Sequence, residues 1–119
     1  MKKHTLSVLA ADDDAAFLEV LVTFFTKAGH IVDTASDGIE AINKLQTSSY
    51  DLTILDIKMP RVSGIEVVEF IQQRHLSTDI VMLTGVEDIP VVVHCMRLGA
   101  YDYLTKPCSA ETLNAVVKR

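Results

Sequence analysis

The chain has 119 residues, enough for one domain with a buried core, and its 49% hydrophobic and 23% charged residues are typical of a folded globular protein and exclude a disordered one. The formal net charge of −5 disfavours direct contact between this domain and nucleic acid. No apolar run approaches the roughly 20 residues of a membrane span, and no long apolar stretch follows the first residues, so we expect a cytoplasmic domain without membrane contact.

Short apolar runs alternate with segments of helical periodicity, which predicts βα units around a parallel sheet. The first strand is predicted at residues 6–11, and Asp14 is the expected N-cap of a helix that ends at Gly29. Residues 31–35 mix apolar and polar side chains, which favours an edge strand.

The alternation continues to the end of the chain. Further strands are predicted at residues 52–55, 80–83 and 103–105. Further helix starts are indicated by the capping pairs Asp37 with Glu40 and Ser63 with Glu66, by Pro90 and by Ser109. The five units predict a doubly wound α/β fold, (βα)5, with helices on both faces of a five-stranded parallel sheet.

Polar residues suited to chemistry follow the predicted strands directly. They are Asp12, Asp13 and Asp14 after the first strand, Asp56 after the third, Thr84 after the fourth and Lys106 after the fifth. Ligands of such sheets bind at the carboxyl ends of the strands. No single position is specific, but the joint placement of acids, a hydroxyl and an ammonium at one edge is.

These residue types fit metal-assisted phosphoryl chemistry. Crowded carboxylates repel one another unless a cation intervenes, and Mg²⁺ prefers oxygen ligands and often bridges a carboxylate to a phosphate. An ionised aspartate such as Asp56 can attack a phosphoryl group. The ammonium of Lys106 and the hydroxyl of Thr84 would stabilise the phosphoryl oxygens.

Four segments in this order resemble the receiver domain of two-component response regulators across essentially the whole chain. They are Ala-Asp-Asp-Asp at 11–14, Leu-Asp-Ile-Lys-Met-Pro at 55–60 with Gly64 behind, Leu-Thr-Gly at 83–85 and Gly-Ala-Tyr-Asp-Tyr-Leu-Thr-Lys-Pro at 99–107. The resemblance implies the flavodoxin-like strand order 2-1-3-4-5 and a cis bond between Lys106 and Pro107.

The resemblance also implies residue roles. Asp56 would be the phosphoacceptor, supplied by a sensor histidine kinase or a phosphotransfer protein. Thr84 would swing toward the phosphoryl oxygens, Lys106 would pair with them, and Tyr103 would be the aromatic switch residue whose ring moves inward. The face formed by the fourth helix, fifth strand and fifth helix would carry the output.

For the metal, the resemblance implies direct Mg²⁺ ligation by Asp13, Asp56 and the backbone carbonyl of Lys58, with Asp12 acting mainly through a metal-bound water. Lys58 and Val86 match positions that vary in the family and influence phosphoryl lifetime. Ala10 and Ala11 are smaller than the usual residues of the first strand, which predicts looser packing there.

Residues 1–119 are therefore expected to form one receiver domain, excised from or N-terminal to a larger response regulator with an output domain that could regulate transcription. It would be a phosphoacceptor that assists its own phosphorylation and dephosphorylation, not an enzyme acting on another substrate. The sequence leaves homodimerisation open. Gly64, Gly85 and Gly99 indicate backbone requirements.

Three other functions stay open at this stage. A flavin-binding module shares the fold, although three aspartates after the first strand would repel its phosphate. A phosphatase resembling the haloacid dehalogenase type would use Asp12 and Asp14 but leave Asp56 unexplained. A degenerate receiver would act through protein contacts alone. The cysteines and histidines show no metal-site or disulfide spacing.

Overall fold

The computed structural model describes residues 5–85 and 89–118, in which five strands and five helices alternate. Their bounds are β1 Ser7–Ala11, α1 Ala15–Lys27, β2 Ile31–Ala35, α2 Gly38–Thr47, β3 Leu52–Asp56, α3 Gly64–Gln73, β4 Asp79–Thr84, α4 Ile89–Leu98, β5 Asp102–Thr105 and α5 Ala110–Lys118. Val86 and His4 lie outside the described residues.

The strands form one parallel sheet in the order β2-β1-β3-β4-β5, which confirms the predicted topology and places β2 at an edge. At their carboxyl ends, β3 and β4 extend one residue further than predicted, and β4 also begins one residue earlier. Asp56 pairs with Leu83, and Thr84 pairs with Thr105, so both polar residues are the last of their strands rather than the first of a loop. A strand boundary set by pairing with its neighbour cannot be read from apolar periodicity alone.

The sheet carries a hydrophobic core on each face because successive side chains of a strand point to opposite sides. Val8 and Ala10 belong to the core that includes residues of α1 and α5, and Leu9 and Ala11 belong to the core that includes residues of α2, α3 and α4. All four are fully buried. Ala10 and Ala11, the small residues of β1, are therefore covered completely by their neighbours.

The predicted N-caps are confirmed, with one correction. Asp14 accepts hydrogen bonds from the amides that begin α1, and Ser63 with Glu66 forms a complete capping box. Asp37 accepts the amide of Glu40, but the carboxylate of Glu40 reaches Ser36, so this capping box is only half formed. The carboxylate of Glu40 accepts two hydrogen bonds from Ser36, one from its amide and one from its hydroxyl, whereas a capping box would supply only one from the amide of Asp37.

Gly29 and Gly99 follow α1 and α4 with φ of +92° and +117°, the left-handed conformation expected at a helix end. Gly85 has no such φ, and a side-chain carbon there would meet no atom of the described residues within 4 Å, so the described part of the chain shows no backbone requirement at Gly85. None of the helices within 5–85 and 89–118 is long and apolar enough to cross a membrane.

Candidate functional site

The carboxyl ends of four neighbouring strands bring the predicted site residues to one edge of the sheet. Asp12 and Asp13 follow β1, Asp56 and Thr84 end β3 and β4, and Lys106 follows β5. The amide of Lys106 donates a hydrogen bond to the carbonyl of Thr84 at 3.0 Å, which fixes the lysine beside the end of β4. Residues that are far apart in sequence thus meet because the parallel strands end together.

The carboxylates of Asp12, Asp13 and Asp56 form a tight acidic cluster. One oxygen of each lies within 4.8 Å of the others. Asp12 is fully buried, Asp56 is 8% exposed, and Asp13 is exposed to solvent. The amide of Asp14 donates to Oδ1 of Asp12 at 3.0 Å, so one oxygen of the buried carboxylate is held by the turn that precedes α1.

Lys106 supplies the positive charge of the site. Its Nζ lies 2.8 Å from Oδ2 of Asp12 and 3.7 Å from Oδ2 of Asp56. The same nitrogen lies 5.1 Å from the centre of the Phe17 ring. The peptide bond between Lys106 and Pro107 is cis, as predicted.

The electrostatics show an excess of negative charge. Burial, and then the charge of Asp12, raise the pKa of Asp56 to about 6, although Lys106 acts in the opposite direction. Burial by itself would lower the pKa of Lys106, but the hydrogen bond from its ammonium to Asp12 and the charge of Asp56 raise it instead. One ammonium therefore does not neutralise the acids, and hard oxygen donors in this arrangement suit a divalent cation such as Mg²⁺.

Thr84 and Tyr103 differ sharply in exposure. Thr84 is 2% exposed, and its hydroxyl donates to the neighbouring carbonyl of Gly85 at 2.9 Å. Tyr103, on β5, is 40% exposed. The hydroxyl of Thr84 thus has a local acceptor in this structure, and Tyr103 is largely on the surface.

Gly64 lets α3 approach the acidic edge. A side-chain carbon at this position would lie 2.2 Å from the backbone oxygen of Asp56, far inside van der Waals contact. The amide of Gly64 also donates to the carbonyl of Ile57 at 2.9 Å. The predicted backbone requirement at Gly64 is therefore a close approach to the residue that ends β3.

No sequence pattern indicated the ion pair that holds the loop after β3. Arg61, in the left-handed conformation with φ of +68°, forms an ion pair with Asp37, the N-cap of α2. Gly38 lies against the carbonyl of Val62, where a side-chain carbon would approach to 2.0 Å. The loop that contains Lys58 is thus held at the start of α2 by one ion pair and lies close to Gly38. The predicted role of the Lys58 carbonyl stays a prediction.

The described histidines and cysteines, which show no metal-site spacing, and Asp14 lie outside the acidic cluster. Nδ1 of His30 accepts the amide of Leu6 at 3.0 Å. Cys95 and Cys108 are free thiols, the first buried and the second half-buried. Asp14 caps α1 and is not one of the clustered acids, which removes the Asp12 and Asp14 pairing that a dehalogenase-type phosphatase would need.

Comparison with known proteins adds sequence and fold relationships. The response regulator receiver domain family model matches residues 8–118. The chain is 40% identical over 111 residues to the alkaline phosphatase synthesis transcriptional regulatory protein PhoP of Bacillus subtilis (strain 168), covering 93% of this chain and 46% of that protein. The chain spans about half the length of the curated relatives it matches.

Solved structures give the same relationship. The Vibrio cholerae chemotaxis protein CheY4 superimposes with a TM-score of 0.90 at 32% identity, covering 98% of each chain. The Francisella response regulator 1452 receiver domain superimposes with a TM-score of 0.88 at 30% identity, covering 96% of this chain and 94% of that one.

Proposed function

Because this chain belongs to the response regulator receiver domain family, we propose that it accepts a phosphoryl group on Asp56 from a sensor histidine kinase or a histidine phosphotransfer protein. The observation that carries this proposal is the placement of the Asp56 carboxylate at the acidic edge, beside Asp12 and within 3.7 Å of the Lys106 ammonium. The candidate nucleophile Asp56, the acidic cluster that could hold a cation and the Lys106 ammonium thus lie together at this edge.

In the proposed step, a carboxylate oxygen of Asp56 forms a bond to phosphorus while the phosphorus–nitrogen bond to the donor histidine breaks. The electron pair stays on the imidazole nitrogen, which takes a proton from water, and the product is an acyl phosphate. The carboxylate must be ionised to attack. With a pKa of about 6, Asp56 is mostly ionised at neutral pH even before a cation binds.

The acidic cluster fits Mg²⁺. Asp13 and Asp56 would hold the ion directly together with the backbone carbonyl of Lys58, and Asp12 would bind it through a water molecule. When bound, the ion neutralises charge on the acids and on the phosphoryl oxygens. Burial and then the charge of Asp12 raise the pKa of Asp56, and the ion would offset the repulsion from Asp12.

Lys106 and Thr84 would bind the oxygens of the phosphoryl group. The ammonium of Lys106, already 3.7 Å from Asp56, would pair with a phosphoryl oxygen. The hydroxyl of Thr84 would exchange the Gly85 carbonyl for a phosphoryl oxygen, and Tyr103 would turn inward as Thr84 moves. The new charge would thereby shift an equilibrium between two arrangements of the ends of β4 and β5.

The α4–β5–α5 face would be the surface that contacts an output domain or partner. α4 and β5 expose apolar side chains that a partner could cover, namely Ile89, Val93, Met96 and Tyr103. Relatives such as PhoP are transcriptional regulatory proteins of about twice this length. We therefore propose that this receiver belongs to a larger cytoplasmic response regulator and controls an output domain that regulates transcription, without contacting nucleic acid itself.

The proposal is tested by incubating the protein with acetyl phosphate, with and without Mg²⁺, and measuring intact mass. We expect one Mg²⁺-dependent phosphoryl adduct in the wild type and none in Asp56→Asn. Asp79→Asn, which changes an exposed aspartate at the start of β4, is the matched control and should be labelled normally. A folded wild type without any adduct, or an Asp56→Asn variant labelled to full extent, would contradict the proposal.

A further inference from the structure

We propose that Phe17 is a positioning residue for Lys106, whose ring holds the ammonium in place while its charged partners change during phosphoryl transfer. The inference rests on the proposed function. It assigns a role to an apolar helix residue whose spacing alone indicates only a place in the core.

The geometry places the ring and the acids around one ammonium. Nζ of Lys106 lies 5.1 Å from the centre of the Phe17 ring, within the range of a cation–π interaction. The same atom lies 2.8 Å from Asp12 and 3.7 Å from Asp56. The ammonium is thus in contact with an aromatic surface as well as with the acidic cluster.

The ring is itself held in place. Phe17 is 9% exposed and belongs to the hydrophobic core on the α1 and α5 side of the sheet. Its amide donates to the capping carboxylate of Asp14 at 3.3 Å, in the first turn of α1. Because the Asp12 turn runs directly into this helix, the acid that pairs with Lys106 and the ring that contacts it are parts of one rigid segment.

An aromatic ring suits this position for a physical reason. A carboxylate binds an ammonium through directed hydrogen bonds, and the pairing of Lys106 with Asp12 would weaken if the acids held Mg²⁺ and Lys106 turned to a phosphoryl group. The quadrupole of a ring attracts the cation without requiring one hydrogen-bond direction, and it carries no charge that would repel a phosphate. The ammonium can therefore shift between oxygens while keeping contact with the ring.

The decisive test varies the electrostatics of the ring at nearly constant shape. Phenylalanine analogues with one, three and five ring fluorines, which progressively cancel the quadrupole, are incorporated at position 17, and the rate of labelling by acetyl phosphate is measured at saturating Mg²⁺. We expect a stepwise fall in rate, reaching on the order of three- to tenfold, with Phe17→Leu equally slow and Phe17→Tyr close to wild type.

The matched control is the same fluorine series at Phe70 on α3, whose ring lies 4.9 Å from the guanidinium carbon of Arg74 instead of from Lys106. Labelling rates should not change there. If all fluorinated variants at position 17 accept the phosphoryl group at the same rate as the wild type, the inference is overturned. Phosphorylation of Asp56 would still stand in that case.

A second measurement needs no phosphodonor. The ring should shift the NMR signals of the ε-protons of Lys106 upfield, and Phe17→Leu should remove that shift. Absence of the shift in the folded wild type would overturn the inference directly. A wild type that shows the shift but never accepts a phosphoryl group would overturn the proposed function, and the positioning role with it.

Discussion

The ammonium of Lys106 lies 2.8 Å from the carboxylate of Asp12, a residue that is fully buried and 94 positions away in the chain. The same ammonium also faces Asp56 at 3.7 Å, and Asp13 completes the acidic cluster. Lys106 therefore pairs with two of the three clustered carboxylates. Protonation of Asp56 and binding of a divalent cation are two alternative ways to relieve the remaining repulsion.

The first prediction concerns stability and pH in the absence of divalent cations. Because the pKa of Asp56 is raised from 3.8 to about 6, the folded state binds this proton more tightly than the unfolded state. The destabilising effect of Asp56 is therefore absent below pH 3.8 and fully present above pH 6. Two pKa units correspond to about 3 kcal/mol.

Urea unfolding of the wild type and Asp56→Asn at a series of pH values checks this prediction. The advantage of the variant should grow between pH 4 and pH 7 and then level off, to about 2–3 kcal/mol. Saturating Mg²⁺ should reduce it. An advantage that is the same at pH 4 and pH 7 would show that the repulsion at Asp56 is not what distinguishes the two proteins.

The second prediction concerns the metal. If Mg²⁺ binds the folded acidic cluster as proposed, a hundredfold excess over its dissociation constant should raise the free energy of unfolding by about 2.7 kcal/mol. Asp13→Asn should remove most of this gain with little effect on the metal-free protein, since Asp13 is exposed.

Asp14→Asn is the matched control for Asp13→Asn. Asparagine caps helices about as well as aspartate does, and Asp14 is not among the clustered acids, so this variant should keep the gain from Mg²⁺. Thermal unfolding with and without a chelator measures both variants. Loss of the Mg²⁺ effect in the Asp14 variant alone would place the metal elsewhere.

The third prediction separates phosphorylation from switching. Thr84→Ala removes the hydroxyl that would bond to the phosphoryl group but leaves Asp56 and the acids in place. The variant should still be labelled, whereas the inward movement of Tyr103 should be weakened. Fluorine NMR with 3-fluorotyrosine, with Tyr103→Phe used to assign the signal, measures the change in the Tyr103 environment.

Thr84→Ser keeps the hydroxyl and is expected to preserve the response of Tyr103. An unchanged response in phosphorylated Thr84→Ala would show that the hydroxyl does not couple the two residues.

The fourth prediction tests the close approach at Gly64. An alanine side chain would lie 2.2 Å from the backbone oxygen of Asp56, so Gly64→Ala must push α3 away from β3. We expect a loss of about 2 kcal/mol in the free energy of unfolding and slower labelling of Asp56. Gly85→Ala, which meets open space, should keep wild-type stability in the same urea experiment.

Much of the fold was accessible from local sequence patterns. The βα alternation, the caps at Asp14 and Ser63 and the edge position of β2 depend on periodicity and on short-range hydrogen bonds, and the structure confirms them. The order of the strands is not a local property, and it came from family resemblance. The gathering of Asp12, Asp56 and Lys106 followed from the topology because parallel strands end at one edge.

What the sequence could not reveal depends on contacts between distant segments. The ion pair of Arg61 with Asp37 and the ring of Phe17 against Lys106 join residues without any fixed spacing. The half-formed capping box at Asp37 reflects a competing partner, Ser36, that supplies two hydrogen bonds to Glu40. Which partner each of these side chains contacts depends on the folded arrangement of the chain.

The site joins the end of the first strand to the residue that follows the last one. Asp12 gains its ammonium only when β5 has paired with β4 and Lys106 has arrived. During synthesis, a nascent chain that still lacks residue 106 carries its acids without their cation, and it has no complete pocket to offer a donor. If Asp56 accepts a phosphoryl group as proposed, the site would be complete only after residue 106 has been added and β5 has paired with β4.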